Sequence, residues 1–125
     1  MSIRNDALKW FRINIGTTSV KIYSSKFYSV DEAWPRQNSW WFEIPLQWLE
    51  QNANSDLHLL CQKVPNGKDF YHLKIPAEYF LRHLKELTIQ KSGRVSIFPS
   101  AEANKLFKDL RGRSNISFAS FLIVP

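Results

Sequence analysis

The side chains of this 125-residue chain with the chemistry of catalysis or metal binding are His58, Cys61, His72 and His83. Leu57 to Val64 and Asp69 to Ile75 flank Pro65-Asn66-Gly67-Lys68. Asn-Gly suits a two-residue type I′ turn, so the spacing predicts a β-hairpin. That turn sets Cys61 opposite His72 on one face. Nucleophilic chemistry there would need the imidazole to take the thiol proton and a third group to orient the imidazole. No third group stands at a fixed spacing, and free cysteine is more often inert packing. A small Cys/His enzyme is therefore the third reading, with no complete catalytic motif behind it.

The same residues lack the paired short spacings of a structural zinc site and the HExxH pattern of a helix-borne one, so no metal is expected. The alternative places His58 and His72 half-buried on strands and His83 on a solvated helix face. A Mg²⁺-dependent nuclease would want an Asp followed by Glu-x-Lys or Gln-x-Lys. Asp56 precedes Cys61-Gln62-Lys63, but a thiol is a poor ligand for so hard a cation. With 4 glycines in the chain, no phosphate loop, dinucleotide fingerprint or serine elbow is found, and no cofactor is expected.

What remains is charge. The formal net charge is +6, and residues 82 to 125 carry most of it: Arg82, Lys85, Lys91, Arg94, Lys105, Lys108, Arg111 and Arg113, against three acids. Arg82 and Lys85 have the spacing to share a helix face, as do Lys105, Lys108 and Arg111 on the next expected helix. Lys91 to Arg94 and Arg111 to Ser114 add loops whose N–H groups suit phosphate. Bases stack on exposed aromatic rings. Trp40 and Trp41, adjacent on a strand, must point to opposite faces, and Trp34, Trp48 and Tyr71 are further stacking candidates. Against this stands the plainer reading of a lysine-rich solvated face and tryptophans spent on core packing.

The elements that must position these residues follow one local grammar. A strand ends in a large hydrophobe and Pro, then a helix-compatible stretch follows, at Ser39 to Pro45, Tyr71 to Pro76 and Val95 to Pro99. Proline lacks an N–H for a ladder, extends its predecessor and suits a first helical turn. Trp41 to Leu49 and His72 to Phe80 match in size and polarity, which is read as recurring strand-to-helix chemistry in one domain rather than a repeat array. The helix after Pro76 has Ala77, Phe80, Leu81, Leu84 and Leu87 on one stripe. That after Pro99 has Ala103, Leu106, Phe107 and Leu110, with Glu102 in its first turn and Gly112 as C-cap. The one after Pro45 is expected to run about two turns. Leu8 to Ile15 and Ser19 to Tyr23 read as strands of a second hairpin around Gly16-Thr17-Thr18, Ser24 to Asn38 as a loop, and Asn115 to Val124 as a strand returning to the sheet.

With 44% hydrophobic, 14% aromatic and 22% charged residues, disorder and low-complexity classes are excluded, and one domain, 1 to 125, is expected. No apolar run is long enough to cross a bilayer and the first residues lack a secretory pattern, so a cytoplasmic protein with no membrane partner is expected. The fold class is α+β: an antiparallel sheet of five to seven strands with two or three helices packed on it. The leading function is a non-enzymatic nucleic-acid-binding domain, DNA being the expected polyanion, which would lose affinity steeply as salt rises. The alternative is a protein-interaction or homo-oligomeric assembly domain.

Overall fold

A computed structural model of the chain describes residues 3–16, 20–111 and 116–123. Helices α1 (Ile3–Asn14), α2 (Leu46–Gln51) and α3 (Ala77–Arg82) accompany seven strands: β1 (Lys21–Ser25), β2 (Phe42–Pro45), β3 (Asp56–Gln62), β4 (Phe70–Pro76), β5 (Thr88–Ile89), β6 (Arg94–Ile97) and β7 (Leu122–Ile123). The α+β class holds, but the single antiparallel sheet does not. The strands form two sheets, ordered β1-β3-β4-β7 and β2-β6-β5, and β1 runs parallel to β3.

The opening segment departs most from expectation, because Leu8 to Ile15 lies largely within α1 rather than in a strand. Phe11, Ile13 and Ile15 alternate with polar residues and imitate a strand, yet Ile3, Ala7 and Phe11 recur every fourth position, as a helix face requires. Ala7 and Phe11 are buried, whereas Ile13 and Ile15 face outward. Asp6 in the first turn and Arg12 in the last complement the helix dipole.

Two of the three strand–proline–helix junctions form as read. Pro45 and Pro76 end β2 and β4 in extended geometry and start α2 and α3. The helix after Pro76 is shorter than its stripe, stopping at Arg82 before a 3₁₀ turn over Leu84–Glu86. After Pro99 there is only a 3₁₀ turn, Ala103–Lys105. Phe107 then takes a positive φ of 66°, which no helix continues through. Its N–H donates to the Ser100 carbonyl, its carbonyl accepts from Phe118, and its ring stacks on Trp40 at 5.4 Å. Of the expected last strand, Leu122–Ile123 pairs with β4.

β3 and β4 form the expected hairpin in a different register. Leu60 lies opposite His72, and Cys61 opposite Tyr71. A two-residue Asn66-Gly67 loop would put Pro65 in the closing pair, where it has no N–H to give. Instead the Lys63 N–H donates to the Asp69 carbonyl and Gly67 closes a turn onto Val64, with Asn66 at φ 62°. A Cβ on Gly67 would sit 2.7 Å from the Val64 side chain, so a larger residue there would have to displace that side chain. Gln62 braces the loop from within, accepting from the Phe27 N–H and donating to the Gly67 carbonyl.

The four-stranded sheet has a core on each face. Ile22, Leu60 and Phe70 pack under α1 with Ala7 and Phe11. Leu57, Leu59, Cys61, Leu73 and Ile75 face a larger core shared with Phe42, Ile44, Val95 and Ile97 of the small sheet. Trp40 joins the sheets, its indole N–H donating to the Gln62 carbonyl at 2.8 Å. No helix among the described residues is long and apolar enough to cross a membrane.

Candidate functional site

The inner face of the small sheet is core, and its outer face carries the side chains that register predicts. Phe42 pairs with Ile97 and Glu43 with Ser96, so one step further outward sets Trp41 beside Phe98. The two rings lie 6.1 Å apart and 6° from parallel. Ser96 and Arg94 alternate onto the same face, where Arg94 reaches Glu43 at 3.8 Å.

Trp34 arrives from the loop before β2 and stacks on Phe98 at 5.4 Å and 22°. That loop is pinned where Asn38 accepts from the Val30 N–H and its own N–H donates to Glu102. Arg111 comes from the C-terminal side. Its guanidinium lies 4.9 Å from the Trp34 ring centre and 5.5 Å from that of Phe98 and donates to Ser96 Oγ at 3.0 Å. Buried Asp109 fixes both neighbours, accepting from the Phe98 N–H at 3.0 Å and the Arg111 N–H at 3.2 Å. Tyr28 stands edge-on to Trp41.

Together these residues bound a groove of about 360 Å³. Trp34 is 65% exposed and Trp41 40%, so both indoles present surface to a ligand. At the floor, Ser39 is wholly buried and its Oγ has no hydrogen-bond partner among the described residues. At the rim, Glu32 is bonded by Lys26 at 2.8 Å, and that bond, with help from Ser29, holds its carboxyl below the usual range.

The sequence-derived residues are divided by this arrangement. Trp41 and Arg111 line the groove on the outer face, and Arg94 lies on the same face at the other end of β6, turned to Glu43. Trp40 is buried in the core and has no free ring face. Arg82 pairs with Glu78 on α3, and Lys85 stands on the following 3₁₀ turn rather than the same helix face. Lys91 lies exposed in the turn before β6. Lys105 and Lys108 do not share a helix with Arg111, because no α-helix follows Pro99 among the described residues. Arg113 lies outside the described residues. Trp48 and Tyr71 pack against the main core. The sequence reading missed Tyr28, Ser39 and Phe98. The Trp41–Phe98 pairing was within reach, since Ser39 to Pro45 and Val95 to Pro99 already read as strands.

Cys61 and His72 are not brought together. They occupy opposite faces of the hairpin, and burial pushes the Cys61 thiol well above its ordinary range. His72 instead meets His58, with Nε2 and Nδ1 2.8 Å apart under the Phe11 ring. Both imidazoles are buried rather than half-buried. His83 bonds Glu86 at 3.0 Å. Among the described residues no three His, Cys, Asp or Glu side chains converge as metal ligands.

No protein family, curated protein or solved structure matches this chain. What it binds has to be argued from its own side chains.

Proposed function

We propose that the protein is a non-enzymatic nucleic-acid-binding domain that holds an unstacked base of a single strand in the aromatic groove. One observation carries this reading: the open rings of Trp34 and Trp41 lie near-parallel to Phe98 on one sheet face, with Arg111 against them. Any base has a π-face for such rings, and each stack is worth ~1–3 kcal/mol. A guanidinium lies flat on a ring while its edge bonds phosphate. Arg111 is the cation that lines the groove among the described residues.

Two competing ligands fit less well. A quaternary ammonium guest wants aromatic faces and a carboxylate, but Arg111 already holds the cation position over Trp34 and would repel it. Duplex DNA keeps its bases stacked away from such a groove, so a single strand fits it better. A single groove arginine also implies a gentler salt dependence than eight cations would, with a log–log slope of about −0.7 for one phosphate on a single strand.

The test is quenching of tryptophan fluorescence by short single-stranded oligonucleotides, by a duplex of the same length and by a proline-rich peptide. Saturable quenching by the single strand, weakened roughly 5- to 150-fold in Trp34→Ala, is expected. Equal affinity of the variant, or binding of the peptide alone, would overturn the reading.

A further inference from the structure

The face of the large sheet beneath α1 carries a small core of its own. Ile22, Leu60 and Phe70 meet Ala7 and Phe11 there, while the core that joins the two sheets lies on the opposite face. α1 can therefore part from the sheet without opening the larger core. Two imidazoles are buried among these apolar groups: the Phe11 ring centre lies 5.4 Å from those of both His58 and His72, and Trp10 stands edge-on to His72 at 6.5 Å. We propose that α1 is an acid-released cover, seated on the sheet while the histidine pair is neutral and lifted when the pair takes up a proton, whatever the aromatic groove holds.

Hydrogen bonding leaves that proton no place in the closed form. His58 Nδ1 and His72 Nε2 lie 2.8 Å apart and share one hydrogen, and His72 Nδ1 is buried with no partner among the described residues. In the neutral pair His72 donates from Nε2, because the reverse would leave a buried N–H at its Nδ1 with nothing to accept it, a greater cost than an unmatched lone pair. A further proton on His72 Nδ1 makes that same orphan N–H, now on a cation. On His58 Nδ1 it sets two N–H groups against each other across 2.8 Å. Passing the shared hydrogen back to His58 only returns the orphan to His72. With α1 lifted, water accepts from each imidazolium, so the proton binds the open form better and shifts the balance toward it.

The charged groups around the pair do not relieve it. From β4, Lys74 lies opposite His58 and opposes a second positive charge. From β3, Asp56 stands on the same face two residues before His58 and attracts one, but it also faces Lys74 at 3.8 Å. β1 presents Ile22, with Lys21 turned to the other face by alternation, and β7 sets Ile123 beside His72. α1 presents Phe11 and Trp10. Its Asp6 and Lys9 line the flank beside Lys68, and its Arg4 and Arg12 are exposed. A further tie, from Trp10 Nε1 to Asp69 at 2.7 Å, outlasts mild acid: against the burial that raises it, hydrogen bonds from Trp10 and Lys63 hold the Asp69 carboxyl below its usual range. The histidines therefore respond first as pH falls. Burial, then His58 and Lys74, bring His72 to about 4, against ~6.5 for an exposed imidazole. The closed form keeps its full stability above that upper value and loses it toward the lower.

The test is amide hydrogen exchange of the full chain, read by NMR as protection factors with and without low urea. The amides of Ala7 to Phe11 should exchange through a local opening that urea barely promotes, while Leu59 and Val95 exchange by a urea-sensitive global route and remain far better protected. From about pH 7.5 to about pH 5, protection of the α1 amides should fall about 30-fold, as the His72 shift requires. His58→Gln with His72→Gln keeps a hydrogen-bonding pair that cannot titrate and should abolish the fall. Asp69→Asn keeps an acceptor for Trp10 and should leave the fall in place. The wild-type measurements decide even where the double variant does not fold. Exchange of α1 as slow and as urea-sensitive as that of the sheets, protection of α1 indifferent to pH, a fall that survives in the folded double variant, or one that Asp69→Asn removes would each overturn the proposal.

Discussion

At the scale of single residues, His72 and Asp109 show how burial and bonding set what a side chain does. Burial pulls the pKa of His72 down from 6.5 to about 4, with His58 and Lys74 adding to the effect. Burial and Lys74 lower that of His58, and Asp56 opposes them. The folded protein therefore binds fewer protons than the unfolded chain as pH falls below about 6.5. Stability contributed by the neutral pair is full above that pH and is lost as pH falls toward about 4. The midpoint of urea unfolding should drop over this window, and His72→Gln should flatten the drop; an unchanged slope would contradict the assignment. Asp109 works by anchoring. Asp109→Ala strands the Phe98 and Arg111 N–H groups and should cost about 2–3 kcal/mol in urea unfolding. It should also weaken oligonucleotide binding more than Lys105→Ala does.

At the scale of elements, α1 and the β3–β4 hairpin separate what the sequence reveals from what it hides. Proline at positions 45 and 76 announced both junctions because its restrictions are local and hold in any context. The hairpin was legible for the same reason, but its register was not, since Pro65 and the Val64–Gly67 contact decide the loop jointly. That one-residue difference moved Cys61 away from His72 and exchanged an apparent nucleophile for a histidine pair. α1 was misread because a period of two and a period of four coexist in Ile3 to Ile15, and only the tertiary partners Ile22, Leu60 and Phe70 choose between them. The prediction for this element is direct. Phe11→Ala should destabilise the fold by ~3–5 kcal/mol and raise the titration midpoint of His72 toward its ordinary value, as followed by imidazole NMR shifts. A destabilisation without that rise would mean that the helix does not shield the pair.

At the scale of the molecule, the net charge of +6 does not say where the cations gather. It counted cations that the fold spends elsewhere: Arg82 on Glu78, Lys63 on Asp69, Lys26 on Glu32. The aromatic groove arises instead from how the loop before β2 and Arg111 fold over the outer face of the small sheet, which no run of sequence contains. Because Trp40 ties the small sheet to Gln62 of the large one over a common core, both sheets should melt together. Far-UV circular dichroism and tryptophan fluorescence are expected to give coincident unfolding curves. Two separated transitions would show the sheets to be independent.

The parallel alignment of β1 with β3 also orders the assembly of the chain in time. An antiparallel hairpin closes as soon as its two arms exist, whereas β1 must wait for the whole segment from Ser25 to Asp56 to be synthesised before its partner emerges. On the ribosome Phe11 and Ile22 therefore spend that interval without the surface they will cover.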